Sequence, residues 1–235
     1  MGRNLSGSTE RQPALQKDPP RVLITAGPTH EPLDSVRFLG NRSSGRLGIA
    51  LAEASARRGW RTTLLLGPTP RTPTTHPSLT VERFQSTEDL QTLLGRSWPE
   101  HDTLLMAAAV ADFRPPRPVR DEKISRGSKG ISLELEPTPD LLADLSDANP
   151  GHGLRIGWAL EPREHLRESG RRKLGTKNVH AIVANPLETI SDEKIEALLL
   201  LQNGEERTPP EGPVLKPAFA EWLLDEVETL RAGAE

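Results

Sequence analysis

The chain has 235 residues, of which 34% are hydrophobic and 27% charged, and none is cysteine. This length suffices for one large domain or two small ones with a substantial core. Without cysteine the chain forms neither disulfides nor thiolate metal sites, and it has no cysteine nucleophile. The formal net charge of −3 supplies no overall field for nucleic acid or an anionic membrane. No apolar stretch approaches the roughly 20 residues that span a bilayer, so we expect a soluble cytoplasmic α/β protein that binds neither nucleic acid nor membrane.

Residues 1–20 are polar and lack apolar periodicity, and we expect them to form a disordered tail. They also lack the apolar core of a signal peptide. No inter-domain linker follows, so residues 21–235 are expected to fold as a single domain.

Beyond the tail, short apolar runs alternate with segments of helical periodicity. Val22–Ala26 is continuous, β-branched and followed by Gly27-Pro28, as in a strand buried on both faces of a parallel sheet. Further strands are predicted at Thr62–Leu66, Thr80–Phe84, Thr103–Val110, Arg155–Leu160 and His180–Ala184. Helices are predicted over 47–54, with Ser43 or Ser44 as N-cap and Gly59 as stop, and near 87–95, 139–147, 163–174 and 217–231. This alternation predicts a doubly wound, mostly parallel Rossmann-like sheet, whose ligands bind beyond the carboxyl ends of its strands.

Two segments interrupt the alternation. Residues 113–136 begin with a stretch rich in proline and basic residues and end in Ile131–Glu136, whose period-2 pattern predicts a strand with one solvated face. Residues 190–215 contain a predicted strand, Ala197–Gln202, followed by Asn203-Gly204, which favours a tight turn. We expect the first segment, the flap, and the second, an antiparallel hairpin, to extend from the sheet as lids or dimer contacts.

The turn before the first predicted helix is a candidate anion site. Asn41-Arg42-Ser43-Ser44-Gly45 precedes a helix whose free N–H groups and dipole attract anions, and Arg37 or Arg42 could pair with a phosphate. The alternative is an ordinary serine N-cap with glycines used for tight helix–strand packing. A nicotinamide site is disfavoured, because the glycines lack the GxGxxG spacing and the second strand ends without an acidic residue.

A second candidate anion site joins another strand end to the flap. Asp112 follows the small-residue stretch Ala107-Ala108-Ala109-Val110. Basic residues then recur at every third position, at Arg114, Arg117, Arg120, Lys123, Arg126 and Lys129. A polyproline II conformation in the proline-rich part, with three residues per turn, would align these charges on one edge. The pattern fits both a solvated basic loop and a lid over a polyanion such as a triphosphate.

The third candidate lies near the end of the fourth predicted helix. Lys173 and Lys177 are four residues apart, so their ammonium groups could converge on one phosphate chain; a solvated helix end favoured by the macrodipole is the alternative. Trp158 is either a core residue or a platform for stacking a base. Glu161 and Asp140 have no recognisable partners. The sequence shows neither a Ser/His/Asp set, nor paired catalytic carboxylates, nor a metal cluster, so no metal ligand is assigned.

Several blocks of this sequence occur in the same order in one known family. They are ITAGPTHEPLDSVRFLGNRSSGRLGIALAEASARRG, AAAVADFRP, EKI, PTPDLL, IGWALE and KLGTKNVHAIVAN. Over roughly residues 22–185 the chain resembles phosphopantothenate–cysteine ligase (phosphopantothenoylcysteine synthetase) of coenzyme A biosynthesis. The long NRSSG-containing block is specific, and it favours the phosphate-site interpretation of the three candidates.

The resemblance implies a ligase that joins 4′-phosphopantothenate to L-cysteine. In the family the substrate carboxylate attacks the α-phosphorus of a nucleoside triphosphate, pyrophosphate leaves, and the cysteine amine captures the acyl-nucleotidyl intermediate. CTP is the usual activator in bacteria and ATP in many eukaryotic relatives, so we expect CTP, accompanied by Mg²⁺. The cysteine of this reaction is a substrate, so the activity is compatible with a chain that has no cysteine residue. The alternative is a nucleotide-binding protein of the same fold without turnover.

By resemblance, the family's site residues have counterparts here. Asn41 would contact the acyl-nucleotidyl intermediate, and Lys123 on the flap would neutralise the triphosphate as pyrophosphate departs. Phosphopantothenate would be held by Arg37, Ser43, Ser44 and Gly45. The nucleotide pocket would contain Gly27, Asp112, Pro139, Asp140, Leu141, Leu142, Trp158, Lys173 and Lys177.

The resemblance further implies a homodimer in which the flap and the hairpin meet the partner subunit. Because only 20 residues precede the first strand, we expect a stand-alone ligase rather than a fusion with a decarboxylase. The chain departs from the family pattern at Ser125, Arg126, Leu160, Pro186 and residues 189–194. These departures remove part of the flap's charge and shorten a Gly-Phe-x-Ser-Asp-x-Asn stretch, so they bear on nucleotide choice and turnover.

Overall fold

The computed structural model describes residues 18–116, 122–126, 130–190 and 192–233, and every structural statement below concerns these residues. The strands are β1 Arg21–Ala26, β2 His30–Pro32, β3 Phe38–Gly40, β4 Arg61–Leu66, β5 Leu79–Arg83, β6 Thr103–Met106, β7 Phe113–Arg114, β8 Glu136–Pro137, β9 Leu154–Glu161, β10 Ala181–Pro186, β11 Lys194–Ile195, β12 Leu198–Leu201, β13 Glu206–Arg207 and β14 Val214–Leu215. The helices are α1 Arg46–Arg57, α2 Thr87–Ser97, α3 Leu141–Ala148, α4 Leu166–Thr176 and α5 Lys216–Gly233. Short 3₁₀ turns occupy Trp98–Glu100, Arg163–His165 and Leu187–Thr189.

Eight strands form one central sheet in the order β13-β12-β10-β9-β6-β1-β4-β5. Neighbours from β10 to β5 are parallel, whereas β12 and β13 join antiparallel. The chain proceeds from β1 to β5 on one side and then from β6 to β10 on the other, so the direction of winding switches between β1 and β6. The predicted doubly wound, mostly parallel sheet is therefore confirmed. Loops diverge at such a switch point and leave a crevice for ligands.

Helices cover both faces of this sheet, which explains the continuous apolar runs of its strands. Val22 and Ile24 of β1 pack with α1 and α5 on one face, in a core that includes Phe219. Leu23 packs on the other face with α2, α3 and α4, beside residues such as Leu90. Within the described residues, no helix combines the length and apolar character needed to cross a membrane.

Gly45 is the N-cap of α1, so the prediction that Ser43 or Ser44 caps this helix is wrong. Gly45 has a φ of 70°, in the left-handed region that residues with a Cβ disfavour. The two serine hydroxyls lie 3.5 Å from the amides of Gly45 and Arg46, at the outer limit of a hydrogen bond. The first amides of α1 are therefore held only weakly by the chain's own side chains.

Two predicted strands end or pair differently from the expectation. The fourth strand, expected to run to Val110, ends at Met106, because the next residues leave the ladder to bond with the segment after β1. Ile131–Glu136 is not a strand: in this segment only Glu136 pairs, as part of β8 with β7. Ile131, Leu133 and Leu135 are exposed, since nothing in the described chain covers that apolar edge.

The segment expected to form an extending antiparallel hairpin joins one end of the main sheet. Residues Leu198–Leu201 form β12, which pairs with β10 and is buried throughout. The turn at Asn203-Gly204 leads to β13, as predicted. β11 and β14 form a separate two-stranded pair. The expected antiparallel hairpin is therefore present as β12 and β13, and it extends the central sheet beyond β10. Its role as a lid or a dimer contact stays a prediction.

Parts of the expected tail and flap lie outside the described residues. They are residues 1–17 of the tail, and Arg117, Arg120 and Lys129 of the flap. The proposed alignment of basic residues along a polyproline II segment therefore stays a prediction.

Gly48 provides a test of how closely α1 approaches β1. A Cβ at Gly48 would lie 2.3 Å from the Ala26 Cβ, so we expect Gly48→Ala to lower the free energy of unfolding by about 1–3 kcal/mol through overpacking. Gly95→Ala is the matched control, since no described heavy atom lies within 4 Å of that Cβ position; it should raise stability by roughly 0.5–1 kcal/mol. Urea unfolding followed by circular dichroism measures both. Equal stabilities for the two variants would contradict the close approach.

Candidate functional site

A cavity of about 720 Å³ lies beyond the carboxyl ends of the central strands. Its lining comes from segments that are far apart in the sequence but meet at the switch point. The lining residues are 41–48, 106–112 and 138–142, together with Trp158, Leu160, Lys173, Lys177, Asn185, Thr189, Ile190, Ile195 and Lys216. All three candidate anion sites therefore contribute to one cavity, although the second does so through Asp112 and not through the described part of the flap.

The floor of the cavity is built by backbone contacts between the ends of β1 and β6. The Ala109 N–H donates to the Gly27 carbonyl at 2.9 Å, and the Thr29 N–H donates to the Ala109 carbonyl at 3.2 Å. Two buried threonine hydroxyls also accept bonds: Thr25 from the Ala108 amide at 3.0 Å, and Thr29 from the Ala111 amide at 2.9 Å. These bonds fix residues 107–111 before any ligand arrives.

Asn41 is tied to the same floor. Its Nδ2 group donates to the carbonyl oxygens of Ala109 at 3.1 Å and Val110 at 3.0 Å. Both amide hydrogens are thus used, and the side chain presents Oδ1 as its acceptor. The orientation of the amide is set by the backbone, which is the kind of preorganisation that a reactive intermediate requires.

Lys173 of α4 and Lys177, the C-cap of that helix, carry carboxylate partners, contrary to the expectation that Glu161 and Asp140 have none. Lys173 Nζ lies 2.7 Å from Glu161, and Lys177 Nζ lies 2.7 Å from Asp140. Asp140 is also the N-cap of α3, accepting a bond from the Ala143 amide at 3.2 Å. An anion that binds these lysines must share them with the two carboxylates.

The predicted nucleotide residues approach the cavity from both faces of the sheet. Leu141 and Leu142 pack with the core beneath α2, α3 and α4, whereas Trp158 packs against the core of α1 and α5. Each reaches the lining because the cavity crosses the edge of the sheet. The indole Nε1 of Trp158 is buried and has no hydrogen-bond partner among the described residues.

Three predicted site residues are absent from the described lining: Gly27, Arg37 and Lys123. Gly27 serves close packing, since a Cβ there would meet Gly67 at 3.3 Å. Lys123 is exposed on the flap. Arg37 Nη1 donates to Asp34 at 2.9 Å and to the carbonyl of Ile124, the residue after Lys123, at 3.1 Å.

Asp34 links the turn that carries Arg37 to the flap. Its Oδ1 accepts bonds from the amides of Val36 (2.8 Å) and Arg37 (2.7 Å), and its Oδ2 accepts one from the Ile124 amide (3.0 Å). These bonds, led by the one from Ile124, lower the pKa of Asp34 from 3.8 to about 2. Since folding lowers this pKa, the carboxylate's contribution to stability is complete above pH 3.8 and is lost as the pH falls towards 2.

The donors at the cavity suit a magnesium ion that arrives with a nucleotide better than a resident metal. No group of three or more His, Cys, Asp or Glu residues with metal-binding geometry occurs in the described chain. Mg²⁺ needs only one or two carboxylates when phosphate oxygens complete its shell. Asp112 offers such a carboxylate, since it is exposed and lines the cavity.

Several lining residues were not predicted from the sequence. Asn185, Thr189, Arg46 and Lys216 all reach the cavity. Lys216 had a detectable signal, because it directly precedes the helix predicted near 217–231, at an end where the macrodipole disfavours a cation. Thr189 lies in a stretch noted only as a departure from the family pattern, and Leu160, another departure, also lines the cavity.

Comparison with known proteins places the chain in a family. A family model described as the DNA/pantothenate metabolism flavoprotein C-terminal domain matches residues 18–230. The chain belongs to this family. The coenzyme A biosynthesis bifunctional protein CoaBC of Thermococcus kodakarensis is 34% identical over 218 residues, which are 89% of this chain and 51% of that protein. A cysteine/cysteine sulfinic acid decarboxylase of an unknown prokaryotic organism is 41% identical over 167 residues, 71% of this chain and 46% of that protein.

The chain thus spans about half the length of the curated relatives that it matches. Among solved structures, the crystal structure of the C-terminal domain of CoaBC has a TM-score of 0.75 at 31% identity, covering 91% of this chain and 96% of that chain. A Cab2 mutant in complex with phosphopantothenate-cysteine shares the fold, with a TM-score of 0.76 at 19% identity over 92% of this chain and 87% of that chain. The resemblance inferred from the sequence blocks is confirmed at the level of the family.

The Asp34 contacts predict a selective effect of Asp34→Asn. The amide retains Oδ1 for the two turn bonds but replaces Oδ2 with a donor, so the bonds to Ile124 and the Arg37 guanidinium are lost. We expect trypsin to cleave after Lys123 at least about fivefold faster, the effect of losing even one of these two bonds, and the melting temperature to fall because the stabilising carboxylate is removed. Mass spectrometry of the fragments measures the rate. The exposed Asp144→Asn variant is the control, and cleavage at the wild-type rate in Asp34→Asn would show that Asp34 does not hold this segment.

Proposed function

We propose that this chain carries out the ligase step of coenzyme A biosynthesis, joining 4′-phosphopantothenate to L-cysteine with release of pyrophosphate and a nucleoside monophosphate. The observation that carries the proposal is the cavity, which gathers the NRSSG turn, Asp112, residues 139–142 and two lysines at one edge of the sheet. Amides and cations at one place suit the electrostatic activation of a carboxylate. Membership of the family supports the same conclusion, as does the 34% sequence identity with CoaBC over 89% of the chain.

In the first step, a carboxylate oxygen of phosphopantothenate attacks the α-phosphorus of the nucleotide. The bond from that phosphorus to the bridging oxygen breaks, and pyrophosphate leaves with the electron pair. The weakly capped amides of α1 and the ammonium groups of Lys173 and Lys177 would bind the phosphate oxygens. Mg²⁺ held by the triphosphate and Asp112 would neutralise further charge. Lys123, on the flap, would neutralise the charge of the pyrophosphate as it departs.

In the second step, the amine nitrogen of cysteine attacks the acyl carbon of the intermediate. The bond from this carbon to the phosphate oxygen breaks, the nucleoside monophosphate leaves, and the nitrogen loses a proton. Asn41 would hold the intermediate through its backbone-oriented amide. Arg37, Ser43, Ser44 and Gly45 would hold phosphopantothenate, for which Arg37 would exchange the Ile124 carbonyl for a phosphate.

We propose CTP as the nucleotide, by analogy with bacterial members of the family, and the cytoplasm, which supplies nucleoside triphosphates, as the compartment. A nucleotide-binding protein without turnover is the second candidate. It is favoured by the departures that reach the cavity, Leu160 and the stretch containing Thr189 and Ile190.

The decisive experiment is a side-by-side assay of pyrophosphate release with CTP and ATP. With phosphopantothenate, cysteine and Mg²⁺, we expect release that depends on all substrates and is faster with CTP. No pyrophosphate with any nucleoside triphosphate would end the ligase proposal. Nucleotide-dependent protection against thermal unfolding, without product, would then favour binding without turnover.

The same assay tests the flap. Lys123→Ala should reduce turnover by at least about tenfold, equivalent to roughly 1.4 kcal/mol of barrier, because charge on the leaving pyrophosphate is no longer neutralised. Arg61→Ala is the matched control. This exposed residue is the first of β4, so it lies at the amino ends of the strands, away from the cavity. Wild-type turnover in Lys123→Ala would remove the flap from the mechanism.

We also propose that the chain forms a homodimer through the β2–β3 hairpin and the flap. Large apolar side chains are exposed on both segments. They are Val36 and Phe38 in β2–β3 and its turn, and Phe113, Ile131 and Leu133 on the flap. The Asp34–Ile124 bond joins the two segments. Exposed apolar groups of this number on neighbouring segments are typical of an interface.

Light scattering tests the dimer. We expect the wild-type chain to have twice the mass of one chain at micromolar concentration, and Leu133→Glu to shift it to the monomer because a charge is buried at the interface. Val81→Glu, on the edge strand β5, controls for an added surface charge. A monomeric wild type, or an intact dimer in Leu133→Glu, would refute this interface.

A further inference from the structure

Lys216 occupies an unfavourable position for a cation. It is the first residue of α5 and only 3% exposed, where the helix dipole repels positive charge and burial removes its hydration. Its Nζ group donates to the carbonyl oxygens of Thr189 at 3.1 Å, Ile190 at 3.3 Å and Asp192 at 2.6 Å. All three ammonium hydrogens are thus engaged by a single loop.

That loop forms one wall of the cavity. We call residues 187–190 and 192–193 the wall loop; Thr189 and Ile190 of this loop line the cavity, as does Lys216 itself. The loop begins in a 3₁₀ turn after β10, where Asn185 Nδ2 donates to Thr189 Oγ1 at 2.9 Å and Thr189 Oγ1 donates to the Pro186 carbonyl at 2.8 Å. Three carbonyl dipoles that converge on one point repel one another, so the cation between them determines the shape of the loop.

Two further contacts tie the wall loop to the starts of α5 and α1. The Lys216 amide donates to the Glu193 carbonyl at 3.0 Å, and Arg46 Nη1 lies 3.5 Å from the Glu193 carboxylate. Burial lowers the pKa of Lys216, and the nearby Arg46 and Arg71 lower it further, whereas Asp192 raises it. Positive charge is thus concentrated where the wall loop meets the amides of α1.

Lys216 differs in its bonding from the other two lysines of the cavity. Lys173 and Lys177 pair with side-chain carboxylates, which can move when an anion takes their place. Among the described residues, the Lys216 ammonium group bonds only to backbone carbonyls, and releasing them would change the path of the chain. It therefore cannot act as a ligand for phosphate without deforming the wall.

We propose that Lys216 is a positioning residue, whose ammonium group holds the wall loop in the shape that receives the nucleoside triphosphate. This inference deepens the proposed function and rests on it. It assigns no contact between Lys216 and the substrate: the residue acts through the loop that it organises.

The test compares Lys216→Met, which keeps the length of the side chain but removes the ammonium group, with Lys216→Arg and Lys194→Met. Lys194 is an exposed lysine of β11, two residues after Asp192, and controls for the loss of one positive charge near the loop. Hydrogen exchange of the wall loop is measured without ligand, and the affinity for CTP and ATP with Mg²⁺ is measured by calorimetry. Neither measurement requires turnover.

In Lys216→Met we expect faster exchange confined to the wall loop and a dissociation constant for the nucleotide that rises about tenfold or more, as for a misplaced binding wall. The variant should still unfold cooperatively. Lys216→Arg should recover part of the lost affinity, and Lys194→Met should match the wild type. In the ligase assay, the KM for the nucleotide should rise more than kcat falls.

Wild-type affinity in Lys216→Met, or exchange that rises equally along the whole chain, would overturn the inference in favour of a general role in stability. If this variant does not fold, the wild type decides: the Ile190 amide, bonded to the Leu187 carbonyl, must be protected without ligand, and exchange at the rate of an unstructured peptide would refute the proposal. If the wild type binds nucleotide but releases no pyrophosphate, the ligase function fails while the role of Lys216 still stands or falls on exchange and affinity.

Discussion

The site depends on one backbone contact, the reciprocal pair of hydrogen bonds between the segment after β1 and Ala109. Parallel strands on either side of a switch point send their loops to opposite faces, which would leave this crevice open. Here the Ala109 N–H and carbonyl bond to Gly27 and Thr29, so the two halves of the sheet are joined at the point where they diverge. Asn41 adds its amide to the same carbonyl, and the start of α1 is thereby placed against the end of β6.

The positive charges of the site are compensated by side chains that can move, in contrast to the backbone bonds of the floor. Lys173 and Lys177 each pair with a carboxylate, which keeps two partly buried ammonium groups stable before an anion binds. Asp140 has a second duty as the N-cap of α3. An anion that draws Lys177 away leaves this carboxylate to the helix amides alone, so binding at the lysines is coupled to the start of α3.

Much of the fold and part of the site were predictable from local patterns. The apolar run Val22–Ala26 predicted a buried parallel strand. The NRSSG turn, Asp112, Lys173 and Lys177 meet because the carboxyl ends of the strands in one sheet lie at the same edge. Other features depended on contacts that periodicity does not encode. Val110 leaves the fourth strand because residues 107–111 bond to the end of β1 and the segment after it. Residues 131–135 alternate correctly, but no strand lies beside them among the residues that the structure describes. The ion pairs of Glu161 and Asp140 join residues 12 and 37 positions apart, beyond the reach of any local rule.

The cavity lining contains both polar and apolar groups, and the chain departs from its family pattern among the apolar ones. Backbone amides, Asn41, Lys173 and Lys177 are the groups that the proposed ligase step would use to activate a carboxylate. Trp158, Leu160 and Ile190 are apolar members of the same lining, and Leu160 and the stretch around Ile190 are departures from the family pattern. The two sets of residues stand on different elements of the fold. In the proposed function, a change among the apolar residues would therefore alter which nucleotide fits while the activating groups stay in place.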